Sequence, residues 1–318
     1  MSEVVKRNSE ILFLYDATLC NPNGDPDDEN RPRYDYDTQR SLVSDVRLKR
    51  YIRDYWINKG LEVFVAKSEG GNVDATTRVE NNLKKAGKKK AGKKKDELSK
   101  EKIAKFVKES FVDIRHFGAT VPIKSSSGKG ESVSITGAIQ FAWGYSLHPA
   151  EILSSATITS ILSGRDSAKG FGTMGKDWRI KYALIGFYGL VSAWRARESL
   201  LTEDDIANFD ETVIKALITM ASTRSKIDQK PRFYLRIEWK DDETFVGDLR
   251  DYITVNVKTP YNPAKIEDIE VDFSDLNSLL EEKKGKIKKV RLFTEREFGS
   301  FFGNLKIPQR VTIEKIEI

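Results

Sequence analysis

Residues 9–19, SEILFLYDATL, form an unbroken apolar run with no helical cap ahead of it, and this run constrains the fold more than any other feature. It reads as a central strand buried on both faces. The strand ends at Asn21-Pro22-Asn23-Gly24, a strong turn signal, followed by the acidic residues Asp25, Asp27, Asp28 and Glu29. A helix is then expected from near Ser44. Leu48, Tyr51, Ile52 and Tyr55 fall at i, i+3, i+4 and i+7, with Arg47, Lys49, Arg50 and Arg53 on the opposite arc. One side packs, and the other offers guanidinium and ammonium groups.

Further along, residues 81–108 shift to a Lys, Gly and Ala low-complexity run, whose self-repulsion predicts a mobile insertion outside the core. FVDIRHFGATVPI and ESVSITGAIQFAWGYSL read as strands around a KSSSGKG turn. In the second, Val133, Ile135, Ile139, Phe141, Trp143 and Tyr145 share one face. Residues 148–179 lack clear periodicity, which inside a compact domain points to a functional loop or projecting hairpin. The strand KYALIGFYGLVSAW follows. TEDDIANFDETVIKALITM is an amphipathic helix capped by Thr202 and Asp205, with Ile206, Phe209, Val213 and Leu217 inward. PRFYLRIEWK alternates, placing Phe233, Leu235, Ile237 and Trp239 inside and Arg232, Tyr234, Arg236 and Glu238 outside. RDYITVNVKTP and RVTIEKIEI are expected to be strands and FSDLNSLLEEKKG a helix. This order suits an α+β, ferredoxin-like (RRM-like) core carrying large insertions within one elaborated domain, 1–318.

With Cys20 the only cysteine, and His116 and His148 the only histidines, intramolecular disulfides are excluded and little material remains for a Cys-His or Ser-His-Asp machine or a His-rich metal centre. A structural strand or turn histidine is the reading for both. Single-cysteine usage suits a reducing cytoplasm, and the absence of any long apolar window argues against a membrane partner. The net charge of +6 favours a polyanion over an acidic substrate.

Three motifs invite a chemical reading. GFGTMGK, 170–176, satisfies G-x-G-x-x-G, but Asp177 stands where a P-loop needs Ser or Thr and strand-like sequence follows instead of a helix. The acidic turn lacks the EF-hand order, and acidic residues ahead of a helix suit its positive end. A nuclease using Asp25, Asp27 or Asp28 with a distant partner stays open as an alternative. STRSKIDQKPR gathers Arg224, Lys226, Lys230 and Arg232 at the end of the second helix. In a ferredoxin-like fold both helices share one side of the sheet, so the two basic clusters are expected to line one groove.

The ordered set LYDATLCNPNGDPDDENRPRYD, LVSDVRLKRYIRDYW, DIRHFGA, SITGAIQFAWGYSLHP, TMGKDWRIKYALIGFYG and TRSKIDQKPRFYLRIEW resembles the Cas-seven backbone subunit of type I CRISPR Cascade complexes, of the RAMP superfamily. It is most similar to subtype I-B, with I-C as neighbour. The resemblance implies a non-enzymatic, cofactor-free, cytoplasmic protein of antiviral defence. Its RRM-like palm, completed by strands and a helix in 241–318, would carry a finger insertion at 60–110 and a thumb hairpin at 148–181. Copies would stack head to tail along a CRISPR RNA as an open helical filament beside other Cascade subunits, each thumb kinking the guide. The guide pairs with target DNA, and a separate helicase-nuclease cuts. The RNA-binding residues so implied are Asn21, Asn23, Arg47, Lys49, Arg50, Arg53, Arg224, Ser225 and Lys226 in the palm, and Arg165, Lys169, Lys176 and Arg179 in the thumb. Phe171 or Met174 would wedge at the displaced base, and no residue is assigned to catalysis or metal. Related type III subunits cleave target RNA from a loop near the first helix, which keeps Asp25, Asp27 and Asp28 as the rival enzyme reading. The RRM aromatic signature is absent, so base stacking on the sheet face is not implied.

Overall fold

The computed structural model describes residues 2–66, 77–79, 82, 100–123, 131–154, 156–159, 174–295 and 304–318. The central strand Ser9–Thr18 lies between Tyr182–Val191 and Gln229–Trp239, antiparallel to both. From one edge, the large sheet runs Thr312–Lys315, Ile287–Thr294, Gln229–Trp239, Ser9–Thr18, Tyr182–Val191, Gly144–Ser146, Arg40–Val43 and Tyr34–Asp35, with Ile139–Phe141 also on Tyr182–Val191. The outer pair 287–294 with 312–315 is parallel. Strand 9–18, helix Asp45–Asn58, the broken strand 139–146, strand 182–191, helix Glu203–Met220 and strand 229–239 succeed one another in the chain. Their four strands lie side by side in the order fourth, first, third, second.

Period-two alternation divides the central strand between two cores. Ile11, Phe13, Tyr15 and Ala17 meet the two long helices through Leu48, Ile52, Phe209 and Val213. Leu12 and Leu14 meet a C-terminal layer through Leu249, Phe273, Leu276 and Leu280. Helix 203–220 forms as read, with the Thr202 and Asp205 capping box and a buried stripe of Ile206, Phe209, Val213 and Leu217.

Four local expectations are corrected. In strand 229–239 the set expected outside is buried too, because helix 203–220 covers that face. Its Asp210 turns inward to receive Arg236 Nε at 2.9 Å and the Tyr234 hydroxyl at 2.5 Å, while Arg232 pairs with Asp16 at 2.6 Å. Alternation cannot separate polar residues facing water from polar residues facing a buried counter-charge.

FVDIRHF, expected as a strand, contains the helix Val112–Phe117. Asp113 is fully buried there and accepts from Arg53 Nε at 2.9 Å, Phe64 N at 2.6 Å and Val65 N at 3.1 Å. The helix stops at Gly118, whose φ of 78° suits glycine and where a Cβ would stand 2.2 Å from the Ile135 carbonyl oxygen. Gly118→Ala is expected to cost roughly 2–4 kcal/mol, read from the urea midpoint.

Part of the Lys-rich insertion is packed. Helix Lys100–Ser110 buries Phe106 and Val107 against Phe64, Val79, Phe111 and Ile114 in a satellite core. The lysine run at 83–99 lies outside the described residues. Finally, the face expected from Val133 to Tyr145 is broken twice: Glu131–Thr136 pairs with Gly118–Ile123 in a separate sheet, so Val133 and Ile135 face the satellite core while Ile139 and Phe141 face the main one, and Trp143 is exposed in the break between 139–141 and 144–146.

Candidate nucleic-acid interface

The turn after the central strand is held by a backbone carbonyl and a lysine side chain from far along the chain. Asn21 N donates to the Ser225 carbonyl at 2.8 Å, and Lys226 Nζ donates to the Asn21 carbonyl at 2.5 Å. The Asn21 amide donates to Asn30 O at 2.6 Å, which orients the amide and leaves Oδ1 buried without a partner. Asn23 Oδ1 accepts from Ser44 N at 2.8 Å and Ser44 Oγ at 2.9 Å. Ser44 in turn caps the first helix by accepting from Arg47 N, so the turn fixes where that helix begins.

These contacts gather Asn21, Asn23, Arg47, Lys176, Arg224, Ser225 and Lys226 around one cleft of about 470 Å³, together with Gly24, Asn30, Asp177 and Trp178. The Arg47 guanidinium lies 4.0 Å over the Tyr51 ring, and among the described residues its Nε has no partner. Lys226 is half-buried; desolvation, helped by the neighbouring Arg47 charge, brings its ammonium down to about 8. Arg224 and Arg179 share Asp177, at 2.9 and 3.0 Å, and Arg179 braces the site by donating to Leu19 O at 2.6 Å. Trp178 Nε1 is another buried donor without a partner among the described residues. Unmatched donors beside cations constitute a site for an anion's oxygens.

The other first-helix cations point elsewhere, which corrects their expected common outward arc. Lys49 and Arg53 are each only 8% exposed. Lys49 pairs with Asp45 at 2.9 Å, Arg53 pairs with Asp113, and both lie over the Phe117 ring. Arg50 pairs with Asp54 and donates to Val65 O at 3.2 Å. The helix is covered by the sheet, by helix 203–220 and by helix 112–117, so its polar arc is only partly open. Arg165, Lys169 and Phe171 lie outside the described residues, and Met174 begins the strand Met174–Asp177.

The acidic turn is tied into its surroundings. Asp25 accepts from Arg33 at 3.0 Å, and Glu29 pairs with Lys176 at 2.5 Å. Among the described residues no three of His, Cys, Asp and Glu are grouped to hold a metal ion. The histidines are built into the fold. Buried His116 bonds Val112 O through Nδ1 at 2.8 Å. His148 accepts from Leu184 N through Nε2 at 3.1 Å while Nδ1 bonds Pro149 O, and burial lowers the basicity of both rings. Sequence reasoning missed Asn30, Arg31, Asp177 and Trp178. The interleaved basic and aromatic residues of RPRYDY, 31–36, were the available signal.

A family model described as "CRISPR-associated protein Cas7" matches residues 7–274. A CRISPR-associated protein Cas7 of Haloferax volcanii is 31% identical over 296 residues, 89% of this chain and 86% of that protein. A chain of the solved "CRISPR RNA-guided surveillance complex, pre-nicking" has the same fold at TM-score 0.53 and 14% identity, over 98% of this chain and 96% of that one.

Proposed function

We infer, because this chain belongs to the CRISPR-associated Cas7 family, that it is a CRISPR RNA-binding backbone subunit of a Cascade surveillance complex. The observation that carries the reading is the convergence of Arg47, Arg224 and Lys226, from two distant parts of the chain, on one cleft with unmatched N–H donors. Such a cleft grips a phosphate backbone without reading sequence, as a subunit must when pairing supplies the specificity.

In finer detail, the strand order supports an RRM-like palm whose sheet face is closed to bases by the C-terminal layer of 241–318. RNA is therefore held at the turn and the helix start. Residues 60–110 form the finger and 148–181 the thumb, whose strands Ala156–Thr159 and Met174–Asp177 pair antiparallel. Arg47, Arg224, Ser225 and Lys226 contact the guide from the palm and Lys176 from the thumb base. Asn21 and Asn23 shape the turn, while Lys49 and Arg53 serve the fold. Subtype I-B fits best, with copies head to tail, target DNA engaged through the guide, and cutting left to a recruited helicase-nuclease. The protein acts without catalysis of its own in the cytoplasm.

Co-expression with a CRISPR array tests this directly. RNA of uniform length should copurify with the protein, and recovery of heterogeneous RNA or none would overturn the reading. Cleavage of complementary RNA by guide-bound complexes, lost in Asp25→Ala or Asp27→Ala, would replace it with the type III alternative.

Proton linkage gives a second check. A phosphate beside Lys226 favours its charged form, so binding takes up a proton and affinity should fall as the solution is taken from about pH 7 to about pH 9. Lys226→Gln should flatten that profile in anisotropy titrations.

A further inference from the structure

Beside the cleft, the side chains of Tyr36, Arg31, Trp178 and Lys176 form a column of alternating rings and cations. The Arg31 guanidinium lies 5.6 Å from the Tyr36 ring centre and 4.9 Å from that of Trp178, and Lys176 Nζ lies 5.9 Å from Trp178. Trp178 and Lys176 also line the cleft, so the column continues it outward. At its outer end Tyr36 is 61% exposed, with Tyr34 set edge-on at 5.1 Å.

The cations of this column differ in what neutralises them. Lys176 is paired with Glu29, and neighbouring Arg33 with Asp25. Among the described residues Arg31 makes no ion pair and its buried Nε has no partner. A guanidinium fixed over aromatic faces keeps its N–H edge for an anion. An exposed ring at the end of a cationic track takes the face of an unstacked base, whatever its sequence.

Resting on the RNA-binding reading above, we propose that Tyr36 and Arg31 form a second contact for the same strand, with Tyr36 stacking on one unpaired base and Arg31 holding the adjoining phosphate. The strand would leave the cleft past Trp178 and cross Arg31 to reach Tyr36. Arg and Tyr also suit protein interfaces, but the continuity with the cationic cleft and the unpaired guanidinium favour nucleic acid.

The test compares a short single-stranded RNA with the same sugar-phosphate chain lacking its bases, by anisotropy on the full-length protein. Tyr36→Ala should weaken the intact RNA about tenfold and leave the abasic strand unchanged, with Tyr36→Phe restoring the intact RNA. Arg31→Gln should weaken both strands. Equal weakening of both by Tyr36→Ala, or no change in either, overturns the stacking contact while leaving the cleft assignment standing. A Tyr36→Ala effect confined to the length of filament on long RNA, seen by sedimentation, also overturns it and gives the residue to a contact between copies. Absence of RNA binding by the unaltered protein would remove the cleft reading and this contact with it.

Discussion

Replacing Arg47 and Lys226 together by glutamate should weaken single-stranded RNA binding by about a hundredfold or more, because two charge-assisted contacts are lost and two repulsions added. The loss should be the same for unrelated RNA sequences. The plot of log affinity against log salt should flatten by about 1.4, the share of two phosphates on a single strand. The fold should survive, since neither side chain belongs to an ion pair among the described residues, Arg47 packs on the Tyr51 ring, and the one bond from Lys226 to the Asn21 carbonyl is backed by those from Asn21 N to Ser225 O and from the Asn21 amide to Asn30 O. Lys226 carries a further internal control. Its ammonium is held below the ordinary lysine value. For a cation whose folded pKa is depressed, the unfolded chain binds more protons between about 8 and the ordinary value. Folding is therefore penalised below that window, and the penalty fades as pH rises through it. Lys226→Gln should leave stability at neutral pH unchanged or raised while reducing affinity. Full RNA affinity in the folded double variant would remove the cleft from the guide path.

Removing the Asp113 carboxylate is expected to be the most damaging single change to the fold. Asp113→Ala strands the Arg53 guanidinium in a nearly closed site and leaves the Phe64 and Val65 N–H groups without their acceptor. Breaking a buried pair in this way costs about 3–5 kcal/mol, and denaturant unfolding followed by tryptophan fluorescence would show it. Arg53→Met should destabilise less, because the Asp113 carboxylate keeps the Phe64 and Val65 N–H donors and the methionine keeps an apolar stem over Phe117. Its RNA affinity per folded molecule should match that of the unaltered chain. Loss of RNA affinity in Arg53→Met at full stability would return Arg53 to the binding face and refute the structural role assigned to it.

Arg47 and Arg53 show how far the sequence could be read. Both sit on an amphipathic helix, and helical spacing alone puts both opposite Leu48 and Ile52. Spacing reports the angle around one helix axis. It does not report that the helix 112–117 closes part of the far side, with Asp113 waiting for Arg53. Strand 229–239 repeats the lesson, because Arg236 has the alternation of a solvent-facing residue and the environment of a core residue. By contrast, Thr202, Asp205 and the stripe from Ile206 to Leu217 were fully legible, since capping and burial there depend on residues within a few turns.

The sequence anticipated one groove shared by the two basic clusters, and Arg47, Arg224 and Lys226 do share one cleft, but it carried none of the bonds that build it. Arg47, Arg224 and Lys226 stood out as basic clusters, Asn21, Asn23 and Ser225 came from the family resemblance, and the chain itself carries no sign that residue 21 bonds residue 225. Trp178 carries no signal of its own, and Arg31 only the interleaving of RPRYDY, until the fold sets the ring beside the guanidinium.

The sequence by itself determined the central strand, the two long helices and their order, because hydrophobic periodicity, capping and turn chemistry act over a few residues. Only the tertiary structure decided which cations are spent on the interior and which remain for a polyanion. Whether a charge meets water, a buried carboxylate or an open cleft depends on segments tens to hundreds of residues away, from the 60 between Arg53 and Asp113 to the 205 between Asn21 and Lys226.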